Sequence, residues 1–248
     1  MSAPPRPLVA IDAFLESVSR YPGHALAVFD VIRATTTAVT AVDRGHRVHP
    51  ASTLEEALAV ASGLDDPLLV GEVAGEVPDG FDFSNSPAAV AALPDSKRPV
   101  VLLSTSGMPI LVAAGPGTYV GSLRNYSALA RYIASRHDRV ALIGAGTRGE
   151  FREEDQIGCA WTAAALIEHG FEPANDETLA IVERWRGVAP EALTVSNSVG
   201  YLRRTGQLQD LDFVLAHVDD LDLIVTVGDG VLDVNGRSAP TRDADPRA

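Results

Sequence analysis

The stretch that decides the fold is "ALAVFDVIRATTT", residues 25–37. Its first five residues form an apolar run with the length of a buried strand, and polar residues follow where that strand would give way to a helix. Threonine is a mediocre helix former, so helix propensity does not explain three threonines in a row. The stretch predicts a strand ending at Phe29, a helix after it, and an oxygen-rich ligand at the turn between them.

The composition is that of an ordinary soluble protein. The chain has 248 residues, of which 46% are hydrophobic, and its 20 basic and 33 acidic residues give a net charge of −13. This charge disfavours a general attraction to nucleic acid or to an anionic membrane. A single cysteine, Cys159, excludes an intramolecular disulfide and is typical of a reducing compartment. Because neither a signal-peptide pattern nor a membrane-length apolar run is present, we expect a cytoplasmic protein.

Short apolar runs alternate with helical patterns, as in βα units, and predict an α/β fold with a largely parallel or mixed sheet. Strands are expected at residues 25–29, 67–70, 99–103, 118–120 and 139–143. We see no repeat or linker, which favours one domain over residues 1–234. The polar, proline-containing segment 235–248 is expected to be a disordered tail.

Several helix ends carry capping signals. Thr53 with Glu56 three residues later is a capping box, and Gly63 is expected to end that helix. Ser86 before Pro87 is the pattern of an N-cap followed by a first-turn proline. Further helices are expected at residues 153–169, 176–186 and 189–206, extended segments at 212–216 and 223–227, and a tight turn at 227–231.

Polar clusters follow five predicted strands. They are Asp30, Glu72, and residues 104–107, 122–125 and 144–149. Ligands of α/β sheets bind at the carboxyl ends of strands, because helix N-termini with free N–H groups begin there. A purely structural explanation exists for each residue: Thr35 can cap its helix, Thr36 and Thr37 can bond to the preceding turn, and the charged groups can face solvent. Five clusters on one edge favour the ligand.

The residue types indicate phosphoryl transfer. Arginine forks bind phosphate, carboxylate or sulfonate, and carboxylates suit Mg²⁺. The candidate forks are Arg33, Arg124 and Arg148, and the candidate metal ligands are Asp30, Glu72, Glu154 and Asp155. The chain has no Walker loop, its "GAGTRG" at 144–149 does not match a dinucleotide loop, and no arginine-containing phosphate loop follows Cys159. His46 and His49 flank a predicted strand, so no histidine pair suggests zinc.

The chain also resembles the 2-phosphosulfolactate phosphatase family. Its motifs occur in the family's order: "DVIRATTT" at 30–37, "GE" at 71–72, "GFDFSNSP" at 80–87, "STSGM" at 104–108, "GSLRN" at 121–125 and "GAGTRGEFREED" at 144–155. The likeness covers about residues 25–170, with a fainter echo at 198–213. It implies a three-layer α/β/α fold with a mixed, largely parallel sheet. It also implies Mg²⁺-dependent removal of phosphate from 2-phospho-3-sulfolactate, a step toward coenzyme M.

The resemblance suggests roles for the candidate residues. Asp30, Glu72 and one or both of Glu154 and Asp155 would organise Mg²⁺. Arg33 and Arg124 would clamp the phosphate and the distal sulfonate or carboxylate, in an order left open. The expected substrate-binding residues are Thr35, Thr36, Asn85, Ser86, Thr105, Ser106, Gly107, Asn125 and Arg148. Water is favoured over Asp30 as the nucleophile, because no second Asp follows two residues later, as it does in aspartyl-phosphate enzymes.

One motif departs from the family. Where the family usually has Thr-Thr-Asn-Gly-Thr, this chain has Ser-Thr-Ser-Gly-Met at 104–108, which removes an amide and a hydroxyl. Two alternatives therefore stay open: a phosphatase for another phosphorylated hydroxy acid, and a non-catalytic binder of a small organic anion. The expected partner is a small anionic phosphorylated substrate, and the sequence leaves open both a homodimer and the choice between Mg²⁺ and Mn²⁺.

Overall fold

The computed structural model describes residues 6–94 and 96–237, and within them ten strands form one sheet. The strands are β1 (Leu8–Ala13), β2 (Ala25–Phe29), β3 (Val48–Ala51), β4 (Leu68–Gly71), β5 (Val100–Leu103), β6 (Tyr119–Gly121), β7 (Arg139–Gly144), β8 (Glu172–Pro173), β9 (Leu223–Val227) and β10 (Leu232–Arg237). Their order across the sheet is β4, β5, β3, β10, β9, β6, β2, β7, β1, β8.

Nine α-helices lie in the same described residues. They are α1 (Ala34–Asp43), α2 (Leu54–Ser62), α3 (Pro87–Ala91), α4 (Gly107–Ala114), α5 (Tyr126–Ala134), α6 (Glu153–Glu168), α7 (Asp176–Trp185), α8 (Asn197–Arg204) and α9 (Leu208–Ala216). Short 3₁₀ helices occupy Leu15–Arg20 and Pro190–Val195. None of the described helices is long and apolar enough to cross a membrane.

Both faces of the sheet are buried, as the apolar strand sequences require. In β2, Val28 packs with α1 and α4 on one face, while Ala27 and Phe29 pack with α5 and α6 on the other. The fold is therefore the expected three-layer α/β/α arrangement around a mixed, mostly parallel sheet. A further cluster of apolar side chains from α6, α7, α8 and α9 covers the loops that follow β2 and β6.

The sheet contains two groups of parallel strands that point in opposite directions. One group is β4, β5 and β3, and the other is β6, β2, β7, β1 and β8. Three successive antiparallel pairings through β10 and β9 join them. A twist of about 20–25° per strand accumulates to roughly 100–125° from β5 to β2. The carboxyl ends of the two groups do not share one edge as the sequence suggested, but the turns after β5 and β2 are in contact, because the N–H of Gly107 donates to the carboxylate of Asp30.

Most predicted elements are present with boundaries shifted by one or two residues. The hydroxyl of Thr53 caps α2 by accepting the N–H of Glu56, and the hydroxyl of Ser86 caps α3. The carboxylate of Glu56 accepts the N–H of Ser52 instead of that of Thr53, so the capping box is displaced by one residue. The predicted turn at 227–231 joins β9 to β10.

The extended segment predicted at 212–216 is wrong, because these residues lie in α9. Leu211 and Val214, three residues apart, face the same apolar cluster, which is a helical spacing. Strand β1 had no predicted counterpart, since a short apolar run shows no periodicity that identifies it. The predicted tail is wrong for residues 235–237, because β10 extends to Arg237 and pairs with β9; residues 238–248 lie outside the described residues. The single domain stays a prediction.

Candidate active site

The turns after β2, β4, β5 and β7 enclose a cavity of about 510 Å³ together with α8. This volume is within the usual range for a small-molecule site. The cavity is lined by Asp30, Ile32, Arg33, Glu72, Ala74, Gly75, Asn85, Thr105, Ser106, Thr147, Arg148, Glu150, Arg152, Asn197, Ser198, Tyr201, Leu202 and Arg204.

Asp30 is the most buried acid of the cavity wall, with 8% of its surface exposed. Its two carboxylate oxygens accept the N–H groups of Ala34 (3.1 Å) and Gly107 (3.0 Å), which begin α1 and α4. Burial, together with the charges of Glu72 and Glu154, raises the pKa of Asp30 to about 6, against the two N–H groups, which lower it. Only glycine fits at 107, because a Cβ there would lie 2.6 Å from the Asp30 carboxylate.

Asp155, in the first turn of α6, is a second buried acid close to Asp30. Its carboxylate accepts the N–H of Val31 (2.8 Å) and the N–H of Gly146 (3.0 Å). It therefore ties the turn after β2 to the turn after β7. Burial raises the pKa of Asp155 well above its usual value, and the charges of Asp30 and Glu154 raise it further.

Glu154 is the third buried acid of this group. Like Asp155, and unlike Asp30, it is not among the described residues that line the cavity. Its Oε2 is buried without a hydrogen-bond partner among the described residues. Burial raises the pKa of Glu154, against the effects of the hydroxyls of Ser198 and Ser196 and the charge of Arg152. Burial together with neighbouring charge is a combination that marks functional sites.

Glu72 lines the cavity on the side of β4 and β5. Its Oε1 accepts the N–H of Thr105 (2.6 Å), and its Oε2 accepts the Thr105 hydroxyl (2.8 Å) and the N–H of Gly75 (2.6 Å). The carboxylate is therefore held in one orientation by the loops after two neighbouring strands. A carboxylate that merely faced solvent would not have these three hydrogen bonds within the protein.

Arg33 is buried at the cavity wall. Its Nη1 donates to the carboxylate of Asp210 and to the side-chain carbonyl of Gln207, both near the start of α9. Asp210 also accepts the hydroxyl of Ser86 and the N–H of Ala88 (3.3 Å). One nitrogen of the Arg33 guanidinium, Nη1, is thus held by α9 and the residue before it, while Arg33 still lines the cavity. Ser86 was expected to bind substrate, but it lies with Asp210 instead of at the cavity.

Arg124 is not among the described residues that line the cavity. Its Nε and Nη2 donate to the two oxygens of Asp220 (3.0 and 2.7 Å), and its Nη1 donates to the hydroxyl of Thr40 (3.0 Å). The guanidinium also lies over the ring of Phe213, 5.4 Å from its centroid. All three nitrogens are engaged within the protein, so the structure does not bring Arg124 into the anion clamp predicted for it.

Asn125 is also away from the cavity. Its Oδ1 accepts the N–H (2.9 Å) and the hydroxyl (3.1 Å) of Ser122, and its Nδ2 donates to the carbonyls of Val120 (3.2 Å) and Leu223 (3.1 Å). All of these contacts stabilise the turn after β6 and hold it against β9. The Asn125 side chain therefore has a structural role.

The threonine hydroxyls at the start of α1 form hydrogen bonds with the protein backbone. The hydroxyl of Thr35 donates to the carbonyl of Asp30 and accepts its N–H, both at 2.9 Å, and the hydroxyl of Thr36 donates to the carbonyl of Val31 (2.8 Å). Neither Thr35 nor Thr36 is among the described residues that line the cavity. Their hydroxyls bind the backbone of the turn, which is the structural explanation that the sequence left open.

Four predicted substrate-binding residues do line the cavity: Asn85, Thr105, Ser106 and Arg148. The Oδ1 of Asn85 is buried without a hydrogen-bond partner among the described residues. Gly107 contributes its N–H to Asp30 and does not itself line the cavity. Of the three positions that depart from the family motif, only Ser106 lines the cavity, since Ser104 and Met108 are buried.

Several lining residues were missed by the sequence reasoning. They are Ile32, Ala74, Gly75, Thr147, Glu150, Arg152, Asn197, Ser198, Tyr201, Leu202 and Arg204. Two signals pointed to them: "GAGTRGEFREED" contains residues 147, 150 and 152, and the fainter echo at 198–213 contains most of the α8 residues. The hydroxyl of Tyr201 donates to the carbonyl of Gly75 and so connects α8 to the turn after β4.

The acids of the site have the chemistry that Mg²⁺ requires. The described residues contain no cluster of three His, Cys, Asp or Glu side chains that could hold a metal ion alone. Mg²⁺ needs only one or two carboxylates, because water and substrate oxygens complete its shell. Asp30 and Glu72, which both line the cavity, meet that need. Glu154 is close enough for its charge to raise the pKa of Asp30, but it does not line the cavity.

Comparison with known proteins identifies relatives of similar length. The family model of 2-phosphosulpholactate phosphatase matches residues 14–230. Proteins named "Probable 2-phosphosulfolactate phosphatase" from Deinococcus radiodurans and from Synechococcus sp. (strain CC9605) are 36% and 35% identical to this chain, covering 86% and 84% of it and 90% and 91% of their own length. One from Carboxydothermus hydrogenoformans is 30% identical and covers 84% of this chain and 88% of its own.

Proposed function

This chain belongs to the 2-phosphosulfolactate phosphatase family, and we propose that it hydrolyses 2-phospho-3-sulfolactate to 3-sulfolactate and phosphate with the help of Mg²⁺. The observation that carries the proposal is one cavity lined by both Asp30 and Glu72 together with Arg33. Paired acids and a fixed arginine beside helix N-termini are the groups that phosphoryl transfer uses. The matched family supplies the identity of the ester.

Asp30 and Glu72 would hold the metal ion, while the charge of Glu154, which does not line the cavity, would favour a cation there. Bound Mg²⁺ would neutralise negative charge on the phosphate oxygens. The raised pKa values of Asp30 and Glu154 support this assignment: burial makes both negative charges costly, repulsion adds to the cost at Asp30, and a cation would offset it. Asp155 would act indirectly, by holding the backbone on which Asp30 lies.

The remaining residues of the wall would bind and orient the phosphate. Arg33 would donate to phosphate oxygens from the part of its fork that Asp210 and Gln207 do not occupy. The hydroxyl of Ser106 would donate a neutral hydrogen bond, while the hydroxyl of Thr105 donates to Glu72 and would hold that carboxylate in place. Helix α8, attached to the turn after β4 through Tyr201, would limit the access of bulk water.

We favour water over Asp30 as the group that attacks phosphorus. Both carboxylate oxygens of Asp30 accept backbone N–H groups. Hydrogen bonds to an oxygen stabilise its lone pairs and lower its reactivity as a nucleophile. Water has no such constraint and can approach from the cavity.

The test is phosphate release from 2-phospho-3-sulfolactate by the full chain, first with Mg²⁺, then with EDTA, then with Mg²⁺ restored. We expect release that EDTA abolishes and Mg²⁺ restores. Release that is insensitive to EDTA would contradict the metal, and binding of sulfolactate without hydrolysis of any phosphate ester would favour the non-catalytic binder. Mn²⁺ in place of Mg²⁺ compares the two ions.

A cytoplasmic location is part of the same proposal. The single cysteine, Cys159, is free, and a chain without an intramolecular disulfide is typical of a reducing compartment. The partner that we propose is the small anionic ester itself, since the overall charge of −13 opposes nucleic acid and anionic membranes.

A further inference from the structure

Four arginines line the cavity, and their environments differ. They are Arg33, Arg148, Arg152 and Arg204. Arg33 is committed in part to Asp210, while Arg148 and Arg204 are exposed. Arg152, the residue before α6, has a side chain that is only 15% exposed. It is therefore a largely buried cation that the proposed phosphate chemistry does not use.

The hydrogen bonding of Arg152 is incomplete. Its Nη1 pairs with the Oε2 of Glu150 (2.6 Å), whose own side chain is 59% exposed. Its Nε is buried and has no hydrogen-bond partner among the described residues. A buried donor without an acceptor is costly, and an arginine fork suits a planar or tetrahedral anion.

The position of Arg152 separates it from the proposed phosphate end. A second cavity of about 450 Å³ adjoins the first, and Glu150, Arg152 and Asn197 line both. Arg152 thus lies between the two cavities, while Asp30, Glu72 and Arg33 line only the first.

We propose that Arg152 binds an acidic group of the substrate other than the phosphate, its sulfonate or its carboxylate, and so selects phosphorylated acids over simple phosphate monoesters. Glu150 competes with that group for the same guanidinium. The inference rests on the proposed function, because it assigns the part of the substrate that is not phosphate. Arg152 is a specificity-determining residue here, and it takes the distal role that the sequence offered to Arg33 or Arg124.

The experiment compares two substrates in the full chain with Mg²⁺: 2-phospho-3-sulfolactate, which carries further acidic groups, and p-nitrophenyl phosphate, which carries none. Arg152→Gln should raise KM for 2-phospho-3-sulfolactate about tenfold or more, because a charge-assisted bond is lost, and should change KM for p-nitrophenyl phosphate less than about twofold. Arg152→Lys should fall between parent and Arg152→Gln. Glu150→Gln should lower KM for the sulfonated ester, since it removes the competitor.

Arg184 is the matched control. It also pairs with a glutamate, Glu153 (3.1 Å), and lines the second cavity but not the first. Arg184→Gln should leave both KM values close to those of the parent. Circular dichroism spectra establish that each variant is folded before kinetics are compared.

If Arg152→Gln changes KM for both substrates by the same factor, or no more than Arg184→Gln does, the inference is overturned while the proposed function stands. If the parent hydrolyses neither ester, the proposed function fails and calorimetry decides the inference separately. The affinity for 3-sulfolactate should then be about tenfold weaker in Arg152→Gln, with the affinity for inorganic phosphate unchanged. Equal affinity for 3-sulfolactate in parent and variant, or no binding by the parent, would overturn the assignment of Arg152.

Discussion

The turns after β2 and β6 begin at equivalent positions but have different partners. The two strands are parallel neighbours, and Phe29 lies opposite Gly121, so Asp30 and Ser122 each follow the last residue of their strand. Each turn carries a buried arginine, Arg33 or Arg124, paired with an aspartate of the C-terminal third. Only the turn after β2 contributes to the cavity.

The difference lies in where each turn finds its hydrogen bonds. The turn after β6 is bonded to itself, since Asn125 accepts the N–H and hydroxyl of Ser122, and to the segment before β9, since Arg124 pairs with Asp220. The turn after β2 uses other elements: Asp30 accepts an N–H of α4, and Asp155 of α6 accepts the N–H of Val31. A site therefore forms where several helix N-termini converge, and a polar strand end alone does not make one.

The largest expected effect comes from the first residue of each turn. Asp30→Asn should lower kcat/KM for 2-phospho-3-sulfolactate by about two orders of magnitude or more, because it removes a carboxylate assigned to the metal. Ser122→Ala, at the equivalent position after β6, should retain most of the activity. Phosphate-release kinetics on both variants check the contrast. Similar losses in the two would mean that the turns do not differ in function.

A second effect concerns metal affinity. Glu72→Gln should raise the Mg²⁺ concentration for half-maximal rate about tenfold, because a neutral amide is a weaker ligand for a hard cation. Its hydrogen bonds with Thr105 and Gly75 would be partly retained. Rates measured across a Mg²⁺ titration give this value. An unchanged Mg²⁺ requirement would remove Glu72 from the metal site.

A smaller effect is expected on the pH dependence of stability. The pKa of Asp30 is raised from 3.8 to about 6, so between these pH values the folded state binds more protons than the unfolded state. The free energy of unfolding therefore falls as pH rises through this window, and Asp30→Asn removes that loss. In EDTA, the Tm of Asp30→Asn relative to the parent should be higher at pH 7 than at pH 4, by on the order of 5 °C.

Thermal melts at the two pH values check this prediction. The parent measured at each pH is the reference, so any constant cost of the Asn side chain cancels from the comparison. A relative Tm that does not change with pH, or that falls from pH 4 to pH 7, would mean that Asp30 does not titrate as its burial implies.

The strands, the capped helices and the family were predictable because their signals are local. Thr53, Ser86 and the apolar run of β2 determine their surroundings through contacts a few residues away. Asp30, Glu72 and Asn85 could be named because they directly follow strands or lie in a family motif. The sequence could not separate Arg33 from Arg124, because their partners Asp210 and Asp220 lie about a hundred or more residues away along the chain.

The wall formed by α8 was missed for a similar reason. Its cavity-facing residues, including Ser198 and Tyr201, belong to a helix that packs through Val199 and Leu202 on other helices, and no strand end marks them. The apolar residues of 212–216 likewise predict an extended segment, although packing against other helices makes this segment part of α9. In both helices, contacts between segments that are distant in the sequence determine the structure.

The most direct measurement of the central claim is kcat/KM for 2-phospho-3-sulfolactate in Arg33→Lys and Arg124→Lys, each shown to be folded by circular dichroism. Lysine keeps the charge and loses the fork, so Arg33→Lys should lose about tenfold or more in kcat/KM. Arg124→Lys should stay within about twofold of the parent and instead have a lower Tm, because it breaks the paired contact with Asp220. Equal losses of kcat/KM in both variants, or a larger loss in Arg124→Lys, would contradict the assignment of the active site to the turn after β2.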